Sequence, residues 1–180
     1  MEHAPKKWKE LSRKRVYSSF YRSVDEVGFE LPDGTKKTFH LLDEHSGTAV
    51  LALTKDNMVI LTHEFRPGPM RAFYELPGGI VEEGEGALAT AERELLEETG
   101  YKAQKIELVA SVAPHGYGNN LMNALVATGC EKIAEQDTDE GELIDVVLKP
   151  VDEVRAMLAS GQMRNVDAVY LGLDHLGLLK

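Results

Sequence analysis

The sequence predicts an α/β layered domain built on a mixed sheet, and three features carry that expectation. Strand-like runs fill the first half, one glycine-bounded helical stretch sits in the middle, and more strands follow before two closing helices. At 180 residues, with 43% hydrophobic and 28% charged residues, the length fits one domain with an ordinary core.

From Arg15 to Val50 apolar and polar residues alternate around turn signals. Pro32-Asp33-Gly34, between GFEL and KKTFHLL, marks a hairpin, so an antiparallel meander opens the fold. The basic residues ahead of it, Lys6, Lys7, Lys9, Arg13, Lys14 and Arg15, read as a solvated leading segment. Strands are predicted from Thr48 to Leu53 and from Met58 to Glu64, joined by the polar turn KDN; the Pro-Gly-Pro of FRPGPM then opens a loop. The helix from about Gly86 to Thr99 carries Leu88, Ala91 and Leu95 on one apolar stripe, and Gly100 suits a left-handed cap. Further strands are predicted from Lys105 to Val112, Asn123 to Thr128 and Leu143 to Lys149. Asp152 is expected to cap VRAMLAS before Gly161, and residues from Asp167 to Leu178 have apolar spacing suited to a last helix.

A net charge of −10 repels phosphate backbones, so no nucleic acid partner is expected. No apolar run approaches a membrane span. The single Cys130 excludes an internal disulfide framework, and MEHAPKKWKELSRKR lacks the apolar core of a secretion signal, so a reducing cytoplasm is the expected location.

The chemistry concentrates in GGIVEEGEGALATAERELLEETGY. On a helix Glu94 and Glu98 stand one turn apart, Glu97 lies three residues from Glu94, and Arg93 reaches Glu97 at i,i+4. Neighbouring carboxylates repel and raise one another's pKa, which a bound cation relieves; an all-oxygen set favours Mg²⁺ or Mn²⁺.

Gly79, Glu85, Arg93, Glu94, Leu95, Glu97, Glu98, Gly100 and Tyr101 follow the order G-x5-E-x7-R-E-U-x-E-E-x-G-U, with U a bulky apolar residue. The order resembles the signature box of the Nudix hydrolases, and a chance match of its seven fixed positions is on the order of one in a hundred thousand. The resemblance implies a Nudix-type α/β/α sandwich with a mixed sheet and an N-terminal antiparallel hairpin. Outside the box, EFRPG, ELPGG, VAPHGYGN, DEGE and DEVRAMLASGQM resemble the ADP-ribose and nucleoside-diphosphate-sugar pyrophosphatases. That likeness implies Mg²⁺-dependent hydrolysis of a nucleoside diphosphate sugar to a nucleoside monophosphate and a sugar phosphate. It also implies a homodimer, with residues 1–45 as the dimerising segment and 46–180 as the hydrolase domain. Two other readings stand beside it: a pyrophosphohydrolase of nucleoside triphosphates or RNA 5′ ends, and a nucleotide-sugar sensor without catalysis.

Carried over residue by residue, the resemblance places metal at the Gly78 carbonyl, Glu94, Glu97 and Glu98. In the acidic loop TDEGEL it makes Glu140 the general base and Glu142 a metal or supporting group, two roles open to exchange by one place. Arg93 holds Glu97, and Glu85 serves the helix start. Arg66 either binds diphosphate oxygens or makes a surface salt bridge. His115 either contacts phosphate or is a polar loop residue; Phe20 and Tyr21 either stack on a nucleobase across a dimer or pack in the core.

Overall fold

A computed structural model describes residues 6–20, 22–139 and 141–180. The chain divides into two compact units: residues up to His45 with Ala113–Leu121, and Ser46–Val112 with Met122–Lys180.

In the first unit β1 (Lys9–Ser18), β2 (Arg22–Glu30) and β3 (Lys36–Glu44) form an antiparallel sheet in that order. The expected turn is present, with Gly34 at φ 84° and the Thr35 N–H donating to Asp33 Oδ1 at 2.9 Å. The basic stretch from Lys9 onward is solvated as expected, but it forms a ten-residue strand. Its arginines explain why: Arg13 and Arg15 both pair with the buried Asp25 of β2, so their charge is answered across the sheet. Residues 113–121 lie along β3, where the Leu42 N–H donates to the Tyr117 carbonyl at 2.7 Å.

The second unit holds β4 (Gly47–Thr54), β5 (Met58–Arg66), β6 (Arg71–Glu75), α1 (Ala87–Thr99), β7 (Tyr101–Lys102), β8 (Lys105–Val112), β9 (Met122–Lys132), β10 (Ile144–Pro150), α2 (Val151–Ser160) and α3 (Val166–His175). The sheet runs β10-β5-β4-β9-β7, with β6 on β5 and β8 on β9. It is mixed because β4 pairs β9 in parallel while the other pairs are antiparallel.

Strand alternation sorts the core into two layers. Ala49, Leu51 and Leu53 of β4 face Val154, Val169 and Leu173 of α2 and α3, whereas Val50 and Ala52 face Ala91 and Leu95 of α1. The result is the expected sandwich, one helix layer against each face of the sheet.

Several expectations need correction. Leu88 is 48% exposed, so the stripe that seats α1 is Ala91 and Leu95 without it. Asp152 does not cap α2; extended Pro150 precedes the helix, and Asp152 pairs with Arg155 inside the first turn, where an acidic side chain favours the helix dipole. The last helix stops at His175, because Leu176 ends it and Gly177 turns the chain at φ 69°. The loop expected after β5 is only a short turn, after which β6 returns along β5. No helix among the described residues is long and apolar enough to cross a membrane.

Candidate active site

The segment between β6 and α1 is fixed to β4 by its backbone. The Val50 N–H donates to the Pro77 carbonyl at 2.9 Å and the Thr48 N–H to the Gly79 carbonyl at 2.8 Å. Backbone contact requires Gly78, whereas a Cβ at Gly79 would displace the Glu94 carboxylate. A Cβ at Gly78 would lie 2.2 Å from the Thr48 carbonyl oxygen, and one at Gly79 would lie 2.1 Å from Glu94 Oε1. The close approach lets the Gly78 N–H donate to Glu98 Oε2 at 2.9 Å.

Helix α1 supplies the acidic edge. It is seated by Ala91 and Leu95 and ends at Gly100 in the left-handed conformation, φ 74°. Glu98 is only 9% exposed; burial, with repulsion from Glu94, Glu142 and Glu64, pushes its carboxyl up to about 8 against the Gly78 hydrogen bond. Burial likewise raises Glu94, helped by Glu97 and Glu142 and opposed by Arg93. Arg93 is the hub of this edge: Nη1 lies 2.9 Å from both Glu94 Oε1 and Glu97 Oε2, and Nη2 lies 3.2 Å from Glu85 Oε2. Glu85 also accepts the Thr90 hydroxyl at 2.8 Å, and Arg93 followed by Thr90 holds its carboxyl below the usual range. Glu85 therefore joins the loop to the first turns of α1.

Of the residues expected to hold metal, Gly78, Glu94 and Glu98 come together, and the charge of Glu142 acts on both glutamates. Glu97 is turned to Arg93. Among the described residues no three His, Cys, Asp or Glu side chains close around one point. The donor chemistry nonetheless fits a hard divalent cation: the donors are oxygens, and two of the carboxylates bear a burial and repulsion cost that a cation relieves.

Sequence reasoning passed over Glu64, Glu75 and Arg164. Glu64, opposite Ile144 of β10, has its carboxyl raised by burial and adds to the repulsion on Glu98. Arg66 makes the salt bridge set out as one of its two readings: Nε and Nη2 grip Glu75 at 2.7 and 2.9 Å, and Nη2 lies 2.9 Å from Glu64. Glu75 closes β6 and Glu64 lies two residues before the end of β5, positions that local spacing does not mark as functional.

The remaining candidates belong to the first unit or lie outside the described residues. His115 Nε2 is 3.5 Å from Glu44, and Nδ1 accepts the Tyr117 N–H at 3.4 Å, as a polar loop residue would. Phe20 is 84% exposed, which removes core packing, and it lines a hollow of about 280 Å³ with Arg15, Ser19, Arg22, Glu44 and His45. Tyr21 and Glu140 lie outside the described residues.

Comparison with known proteins places this geometry in context. The NUDIX domain family matches residues 43–169. A methanol dehydrogenase activator of Bacillus methanolicus is 33% identical over 132 residues, covering 72% of this chain and 70% of that protein. An ADP-ribose pyrophosphatase of Bacillus subtilis is 26% identical over 164 residues, covering 90% and 89%. A solved ADP compounds hydrolase superposes with a TM-score of 0.81 over 98% of this chain and all of that one; at 23% identity this is a likeness of fold.

Proposed function

The chain belongs to the NUDIX family, and from that premise we propose that it is a Mg²⁺-dependent pyrophosphatase of ADP-ribose or another nucleoside diphosphate sugar, with Mn²⁺ able to substitute. The observation that carries this reading is the pair Glu94 and Glu98, one helical turn apart, both raised by burial and both facing the backbone approach of Gly78 and Gly79.

Glu94, Glu98 and the Gly78 carbonyl, with Glu97 and Glu142, would hold the ion. Bound there, it offsets the charge of the diphosphate and acidifies water. The protein's own groups do the rest. Arg66 donates to diphosphate oxygens while Arg93 keeps Glu85, Glu94 and Glu97 in place. A carboxylate of the loop TDEGEL, Glu140, takes the proton of the attacking water as its oxygen bonds to phosphorus and the anhydride P–O bond breaks. The products are a nucleoside monophosphate and a sugar phosphate.

Phe20 and Tyr21, within residues 1–45, stack on the nucleobase across a homodimer, and His115 contacts phosphate. The exposure of Phe20 and of β1 along its whole length supports this part of the reading. A panel of ADP-ribose, ADP-glucose, GDP-mannose, UDP-glucose and dGTP, assayed with Mg²⁺ for released monophosphate, tests the substrate class. The diphosphate sugars are expected to give the highest kcat/KM; preference for dGTP would overturn it.

A further inference from the structure

Glu75 is a buried carboxylate that the proposed chemistry does not use. It is 3% exposed at the end of β6, and both of its oxygens are engaged twice. Arg66 meets them with the parallel Nε and Nη2 donors at 2.7 and 2.9 Å, and Arg164 Nη1 lies 3.3 Å from each. A two-point grip of this kind fixes the plane of a guanidinium, whereas a single contact leaves it free to rotate.

Arg164 is delivered by an independent segment. Residues 162–165, between α2 and α3, run beside β6: the Tyr74 N–H donates to the Gln162 carbonyl at 3.2 Å and the Arg164 N–H to the Tyr74 carbonyl at 3.0 Å. Asn165 completes the strap, its Oδ1 accepting the Leu76 N–H at 3.3 Å. The strap thus holds Tyr74 to Leu76 just before the Pro77-Gly78-Gly79 segment that touches Glu98 and Glu94.

Charge explains why two arginines are needed. Glu64 and Glu75 outnumber Arg66; Arg164 adds a second positive charge beside carboxylates that Glu142 already faces. An anionic diphosphate approaching Arg66 then meets less repulsion.

We infer that Glu75 is the positioning residue for Arg66, presenting Nη1, the guanidinium nitrogen outside the Glu75 and Glu64 contacts, to a diphosphate oxygen, and that Arg164 supports it from the strap. The inference rests on the reading of Arg66 as a phosphate-binding group. It assigns the Arg66–Glu75–Arg164 trio to substrate binding and not to fold stability alone.

The test is a double-mutant cycle read two ways: equilibrium binding of inorganic pyrophosphate in Mg²⁺, and steady-state hydrolysis of ADP-ribose. Arg66→Ala is expected to weaken pyrophosphate binding and raise KM by about tenfold or more. Glu75→Gln should reproduce most of that loss with a smaller change in kcat, and the double variant should be no worse than Arg66→Ala alone. Arg164→Ala, at a half-exposed side chain, provides a milder probe; a KM rise of about threefold, recovered in Arg164→Lys, is expected. Full binding and KM in Glu75→Gln alongside a defective Arg66→Ala would overturn the inference, as would additive losses in the double variant. Should Glu75→Gln fail to fold, an unaltered KM in Arg164→Ala would overturn it equally. An Arg66→Ala protein with unchanged pyrophosphate binding would instead sink the phosphate-binding reading itself. Arg66-dependent pyrophosphate binding without ADP-ribose turnover would sink only the proposed substrate and leave the positioning role standing.

Discussion

Replacing Glu98 by Gln should move stability and activity in opposite directions. In the metal-free protein the Glu98 carboxyl is pushed up to about 8 from an ordinary 4.5, so at neutral pH it is largely protonated when folded and ionised when unfolded. The sign is opposite to that of a salt-bridged carboxylate. Stability is full below pH 4.5, where both states hold the proton, and is lost as pH rises from 4.5 toward about 8. At pH 7 the loss is at most roughly 3 kcal/mol, and it approaches roughly 5 kcal/mol well above pH 8. Gln cannot ionise, and its side-chain oxygen can still accept the Gly78 N–H that Glu98 takes at 2.9 Å. In EDTA, Glu98→Gln should therefore melt with the wild type near pH 4 and several degrees above it at pH 7 to 8. With saturating Mg²⁺ the wild type should gain stability and the variant should not. Its kcat should fall about a hundredfold, equivalent to about 2.7 kcal/mol of barrier. Thermal melts at pH 4, 7 and 8.5, with and without metal, check this. A variant less stable than the wild type at pH 7 in EDTA, or a difference that does not change with pH, would show that Glu98 is not held protonated by burial.

Further expectations concern the glycine approach, the core and the assembly. Gly79→Ala places a Cβ where Glu94 Oε1 now lies, so metal affinity should drop and extra Mg²⁺ should partly restore the rate; unchanged metal titration would count against the geometry. Leu95→Ala, at a position 1% exposed, should cost about 2–5 kcal/mol in urea unfolding, whereas Leu88→Ala should cost less than about 0.5 kcal/mol; equal costs would contradict the assignment of the buried stripe. Light scattering at micromolar concentration should give twice the 19.9 kDa chain mass, and a mass near 19.9 kDa would rule out the dimer.

The parts legible in the sequence were those whose signals are local. The turn at Gly34, strand β8 from Lys105 to Val112, the end of α1 at Gly100 and the Glu94/Glu98 spacing each rest on residues a few positions apart. What escaped depends on distant partners. Strand β1 looked like a charged leader because Asp25, which answers Arg13 and Arg15, lies on another strand. Leu88 carries the same apolar side chain as Leu95, and only the position of the sheet decides which of them it covers. Glu75 and Arg164 are 89 residues apart and meet only because the α2–α3 strap docks on β6, so no spacing rule could have joined them to Arg66. Arg66 was a candidate with two readings, and a single side chain in sequence does not disclose which carboxylate holds it.

Cleavage of a nucleoside diphosphate sugar within its diphosphate by a metal-loaded carboxylate edge can be followed in a ³¹P NMR time course of ADP-ribose with the protein and Mg²⁺. The paired diphosphate resonances should give way to two monoester resonances of equal intensity, AMP and ribose 5-phosphate, and EDTA should stop the conversion. Diphosphate resonances that persist with active, metal-loaded protein, or conversion that proceeds unchanged in EDTA, would contradict cleavage by that edge.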